Sequence, residues 1–305
     1  MMTSLCTEYY QFILAQGVLG GISIGMCISP ALAATGQYFQ KKRAAAMGIA
    51  IAGSSVGGVV FPIMLGKMLA NEKLGCGWTI RICGFVMIAV MLPSCLAIRA
   101  RLPPRKGKLF LPRAFLELPY VTLILGSFMM LLGIFIPPFY LPTFAVGNGM
   151  STELASYLVS IYNAASLFGR VIPGILADKL GRFNVYIVAA VSSAILGFCW
   201  QAVTTNAGVI VFAAVYGFCS GAIVSMISVC LTLVPKDPMN IGTYLGMGLA
   251  GSAGAALIGP PISGAILTKY GFGRVADFSG SVSVAGAIII VLAKWTTGKG
   301  LLSRF

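Results

Sequence analysis

Arg170 stands inside an apolar run, after ASYLVSIYNAASLFG and before VIPGILA. A charged side chain near the middle of a bilayer costs about 2.5 to 3.5 kcal/mol on insertion scales, so such a residue ordinarily faces a cavity and does work there. Its planar fork of donors suits a carboxylate or another organic anion. Tyr162 and Asn163, about two helical turns earlier, and Ser166, one turn earlier, add hydrogen-bonding groups that could contact a ligand or join neighbouring helices. Arg170 also lies only eight residues before Asp178, close enough that snorkelling to the membrane surface is the competing reading.

The same helix ends in a second constellation, Gly174-x-Leu176-Ala177-Asp178-Lys179-x-Gly181-Arg182. Gly181 suits a tight turn between two spans. Asp178 is placed to pair with basic groups or to cap the N-terminus of a neighbouring helix, a contact that can be made in one conformation and broken in another. An ordinary charged turn is the alternative. Enzymatic chemistry finds no support: there is no histidine, Asp and Glu number seven, and the eight cysteines lie mostly within apolar stretches. No metal-ligand set, phosphate-binding loop, nucleophile with its base or acid pair inside a span can be assembled from these residues. No metal, cofactor, ATP or nucleic-acid partner is therefore expected.

The elements that carry these groups must be membrane helices. Hydrophobic residues make up 58% of the 305 and charged residues 9%, with a mean hydropathy of +0.94. Nine stretches are long and apolar enough to cross a bilayer, at roughly 10–38, 44–69, 78–98, 119–146, 152–177, 184–203, 207–234, 240–268 and 275–295. Basic residues gather at alternate junctions: Lys41, Lys42 and Arg43; Arg99, Arg101, Arg105, Lys106, Lys108 and Arg113; Lys179 and Arg182; Lys236; Lys294, Lys299 and Arg304. Positive-inside bias puts those junctions and the C-terminus in the cytoplasm. The net charge of +14 is then mostly cytoplasmic loop facing lipid headgroups.

An internal repeat sets the architecture. GIAIAGSSVGGVVFPIMLG from Gly48 aligns without a gap on GMGLAGSAGAALIGPPISG from Gly246, sharing Gly48/Gly246, Gly53/Gly251 and Pro62/Pro260. GVLGGISIGM from Gly17 likewise pairs with GFCSGAIVSM from Gly217. Equivalent spans are six apart, as in transporters built from two halves. Two halves of six make twelve spans, so the first half here lacks its first three. The expected organisation is residues 1–98 as a partial first bundle of three spans, 99–118 as a cytoplasmic linker and 119–305 as a six-helix second bundle. A shortened reading frame accounts for this, with a genuine nine-span protein as the alternative. Gly17, Gly21 and Gly25, Gly53 and Gly57, and Gly246, Ala250 and Gly254 form small-residue ridges expected to pack helices closely. With Gly251, and with Pro137-Pro138 and Pro260-Pro261 as expected kinks, they are candidate hinge and packing sites.

YFQKKRAAAMGIAIAGSSVGG from Tyr38 and GRVIPGILADKLGRFNV from Gly169 resemble the major facilitator superfamily, in particular its monocarboxylate-transporter-like branch of the fungal riboflavin and metabolite transporter type. The resemblance implies an all-α polytopic fold of two six-helix bundles rocking about a central site. It implies secondary active transport of a small organic solute, whether monocarboxylate, vitamin or secondary metabolite, by alternating access. An inactive truncated paralogue is the alternative. It further implies residence in the plasma membrane, or in a vacuolar or other endomembrane. The family's pattern makes Gly174, Asp178, Lys179, Gly181 and Arg182 a cytoplasmic gate and Arg170 a substrate contact, with Ser166, Asn163 and Tyr162 beside it. The family carries a proton-coupling aspartate four residues before the arginine. Here that position is Ser166, which does not titrate in the physiological range.

Overall fold

Backbone amides have no water to bond in hydrocarbon, so long apolar runs must close their own hydrogen bonds as helices. The computed structural model describes residues 1–70, 74–99, 110–235, 237–298 and 300, and among these are nine helices long and apolar enough to cross a membrane. They are α1 (Tyr9–Tyr38), α2 (Arg43–Leu69), α3 (Gly75–Ala97), α4 (Leu118–Gly147), α5 (Thr152–Leu180), α6 (Arg182–Ala202), α7 (Asn206–Leu231), α8 (Pro238–Tyr270) and α9 (Phe272–Thr296). Each expected span is present, its ends within about one turn of the expected ones. Residues 100–109, half of the 99–118 segment and with them Arg101, Arg105, Lys106 and Lys108, lie outside the described residues, as do Lys73, Lys236, Lys299 and Arg304.

Local sequence explains the helix ends. Ser151 and Thr205 cap α5 and α7 by accepting from the Leu154 and Gly208 amides, at 3.4 and 3.1 Å, the usual service of an N-cap hydroxyl. Gly181 joins α5 to α6 at φ +96°, and Gly271 joins α8 to α9 at φ +81°, a region that residues with a Cβ seldom enter. The helical hydrogen bonding of α4 stops at Ile134 and resumes at Ile136, with Pro137 and Pro138 in the new first turn. Pro260 and Pro261 interrupt nothing: α8 is helical from Ile241 to Tyr270. Tyr140, just past the break in α4, donates its hydroxyl to the Pro260 carbonyl at 2.7 Å, so the two proline sites are tied to each other.

The packed core divides along the bilayer normal. At the end that carries Lys42, Gly181 and Asp237, here termed the basic end, Leu32 of α1 and Ala44 and Met47 of α2 share one cluster with Tyr120, Tyr186, Met226 and Leu245. At the opposite end the cluster is built by later helices alone, around Trp200 with Phe144, Phe212 and Val275. α1 and α2 are thus joined to the later helices at the basic end. The most apolar stretches of α1 and α3 are almost wholly uncovered.

The small-residue ridges do not all pack as expected. Where a Cβ would stand, Gly21, Gly25 and Gly53 have no neighbour within 4 Å, and Gly17 and Gly57 meet only Ile13 and Phe61 of their own helices. The face of α2 that packs runs instead through Ala44, Gly48, Ser55 and Gly58, and Gly53 lies roughly 140° round the helix from Gly48. On α8, Gly246 is likewise open, whereas Gly251 and Gly254 pack on Ile124 and Phe128 of α4 at 3.0 and 3.6 Å.

Candidate functional site

Asn163, Ser166, Arg170, Gly174 and Asp178 recur every three or four residues and so form one stripe along α5. That stripe faces α2, which runs antiparallel to it. At the basic end the Asp178 carboxylate accepts from two backbone amides in the first turn of α2, Ala44 at 3.2 Å and Ala45 at 3.0 Å. These amides have no intrahelical acceptor and sit at the positive end of the helix dipole, so a carboxylate there forms charge-assisted bonds. Arg182 steadies the same carboxylate at 3.3 Å. Lys179 is exposed. Between capping and pairing, the alternatives open in the sequence, Asp178 does both.

One turn further in, the backbones nearly touch. A Cβ on Gly174 would stand 2.9 Å from the Ala44 carbonyl oxygen, and one on Gly48 would stand 2.5 Å from the Arg170 carbonyl oxygen. Arg170 then crosses to α2: its Nη1 donates to the Ile51 carbonyl at 2.9 Å and bonds the Ser54 hydroxyl. Its Nε is buried without a partner, and among the described residues no carboxylate pairs with it. Ser55 and Ser166 meet at 3.4 Å. Beyond them the Asn163 amide lies over Gly58 while donating to the Val159 carbonyl at 2.8 Å.

Tyr162 is not part of this stripe. Its hydroxyl shares a 2.7 Å hydrogen bond with Ser220 of α7, and its ring lies 6.4 Å from that of Tyr216. It joins helices within the later bundle, the other of the two readings its sequence position allows. The α5–α7 contact is close because both helices use glycine: the Gly169 backbone lies against Phe218, Gly217 against Tyr162 and Gly221 against Ser166. Gly48, Gly58 and Gly169, and the amides of Ala44 and Ala45, carry contacts that the residue types do not advertise. A glycine's packing partner is invisible until its helix face is known, and a backbone amide has no sequence signature. Arg81 of α3 donates to the Ser4 hydroxyl at 3.1 Å and lies 5.2 Å from the Trp78 ring. Cys6 and Cys76 are free thiols.

The chain is similar to fungal transporters and to a transporter of solved structure. The Aspyridones efflux protein apdF of Emericella nidulans is 50% identical over 306 residues, a match covering 99% of this chain and 63% of that protein. The Agnestins efflux protein AgnL12 of Paecilomyces divaricatus is 38% identical, covering 99% of this chain and 70% of that protein. The chain thus spans about two thirds of the length of these relatives. In three dimensions it matches FucP, a Major Facilitator Superfamily transporter solved in the outward conformation, with a TM-score of 0.67 over 88% of this chain and 71% of that one, at 15% identity. The sequence profile of the Major Facilitator Superfamily, a family of transporters and not of enzymes, matches residues 1–239 and again 123–301. With those two overlapping matches, the internal repeat and the shared fold, the chain belongs to the Major Facilitator Superfamily.

Proposed function

We propose that this chain is the larger part of a secondary active transporter that exports a small, acidic organic metabolite by alternating access. The observation that carries the reading is the α2–α5 contact: a row of small residues, a carboxylate on helix amides and an arginine on a carbonyl, running inward from the basic end. Such a contact buries little apolar side chain and can part as a unit, which a moving gate requires. With the basic end cytoplasmic, this arrangement is the cytoplasm-closed state. Gly174, Asp178, Lys179, Gly181 and Arg182 form its gate. Arg170, whose charge has no carboxylate partner among the described residues, serves as the substrate anchor, with Ser166 and Asn163 beside it and Tyr162 holding α5 in place from behind. Two similar proteins are named for efflux of aspyridones and agnestins, which favours a secondary metabolite over a monocarboxylate or a vitamin and the plasma membrane over an endomembrane. Vesicles holding the full-length protein are expected to move acidic metabolites down an imposed solute or ion gradient without ATP. Absence of flux for every acidic metabolite, carboxylate and vitamin tried, in both gradient directions, sinks the proposal.

We infer that the complete frame encodes three further spans ahead of α1, within one bundle that ends near residue 98 and is linked through 99–118 to the second. The uncovered faces of α1 and α3, the six-span repeat and relatives of greater length support this. Sequencing of full-length transcripts is expected to find coding sequence for these spans, with an acidic turn like that at Asp178. Capped transcripts that all start coding at Met1 count against it and favour a remnant without transport.

A further inference from the structure

We infer that Arg43 is a second latch at the basic end, a positioning residue whose guanidinium holds the C-terminal ends of α1 and α7 together while that side of the protein is closed. The inference rests on the alternating-access reading above and adds a residue that the gate motif does not contain. Arg43 opens α2. Its Nη1 donates to the Thr232 carbonyl at 3.1 Å and its Nε to the Phe39 carbonyl at 3.2 Å. Phe39 is the C-cap of α1 and Thr232 the C-cap of α7. These two helices are the repeat-related pair matched through Gly17/Gly217 and Met26/Met226. One side chain therefore serves equivalent ends of both halves.

Carbonyls at a helix C-terminus lack intrahelical donors and carry the negative end of the dipole, so a cation placed on them is favoured. Two such ends facing one another without a cation would repel. A guanidinium can answer both, because its donors diverge in a rigid plane; an ammonium on a flexible stem holds one geometry less well. The ends are also in contact: a Cβ on Gly36 of α1 would lie 3.9 Å from Thr232 and 3.7 Å from Ile241. The first turn of α2 is consequently a node. Its amides are held by Asp178 of α5, and its first side chain reaches past α1 to α7. The two attachments cross the same boundary at the same end, but they grip different helices, so either can fail alone.

The test is side-specific labelling of a thiol at the buried contact between α2 and α5. In the full-length chain carrying Ser55→Cys, inverted vesicles expose the basic end and right-side-out vesicles the other, and an impermeant maleimide is read at residue 55 by mass spectrometry. Arg43→Ala is expected to raise labelling from the basic side about tenfold, the factor for losing a charge-assisted hydrogen bond of ordinary strength, and to lower labelling from the opposite side. Arg43→Lys should fall between Ala and the parent. Unchanged labelling in Arg43→Ala, or a rise from both sides with a lower melting temperature, overturns the latch and leaves alternating access standing. A parent chain that is never labelled from the basic side, even during turnover, removes alternating access and the latch together.

Discussion

Arg170→Lys lowers transport of an acidic substrate about tenfold or more, the cost of one charge-assisted hydrogen bond in a site that gains two from a planar fork. Arg170→Ala lowers it further. Surface level and membrane insertion stay at parental values in both, because alanine removes an insertion cost and lysine carries about the same one as arginine. The geometry sharpens this expectation. In the closed state one guanidinium nitrogen is engaged by the Ile51 carbonyl and Ser54, while Nε is buried with nothing to bond. A buried donor left so is costly unless something else meets it, and the proposed anionic substrate, entering between the halves, would be that partner. The check is initial efflux rate and apparent affinity in vesicles at matched protein. If Arg170→Lys matches the parent in both, Arg170 is an anchor between α2 and α5, and the assignment of substrate to this stripe fails.

How far the residues alone reach can be judged along α5. The stripe from Asn163 to Asp178 was legible because a charge in a span and an acidic glycine turn are each rare for a physical reason, the cost of burying charge and the demand for positive φ. The nine spans were legible for the same kind of reason, since only helices of that length satisfy their backbone in hydrocarbon. Which glycines pack was not. On α2 the small-residue ridge drew attention to Gly53 and Gly57, yet Gly48, known only as a repeat-matched position, and Gly58 meet α5. A helix rich in small residues on every side carries no moment to say which stripe is covered, so its neighbours decide. Tyr162 shows the limit from the other direction. It is one residue from Asn163 and points to α7, because neighbouring positions on a helix diverge by about 100°. The Pro pairs differ likewise: identical dipeptides give a break at Phe135 and an unbroken helix at Pro260-Pro261, so the surroundings and not the dipeptide decide the outcome; at the second site Tyr140 of the neighbouring helix donates to the Pro260 carbonyl.

Gly48→Val traps the protein with its basic end open. A Cβ at this position would stand 2.5 Å from the Arg170 carbonyl oxygen and 3.6 Å from the Gly174 Cα, and both belong to a helix backbone, which cannot turn aside as a side chain tip can. Overpacking of this kind costs about 1 to 3 kcal/mol, charged only to the closed state because α2 and α5 part when the gate opens. The ratio of closed to open molecules should therefore fall by about 5- to 150-fold, and transport with it, since every cycle passes through closure. The chain should still fold, for α2 inserts as well with valine as with glycine. Gly174→Ala supplies the matching experiment from the other helix. Its Cβ would lie 2.9 Å from the Ala44 carbonyl oxygen, so it should bias the same equilibrium in the same direction. The measurement is paired: efflux, and maleimide access to Ser55→Cys from each side. Loss of efflux with increased access from the basic end, in both variants, is the expected result. Parental efflux in Gly48→Val, or access that rises equally from both ends, means that the close approach of these glycines is static packing and that α2 and α5 do not form the moving gate.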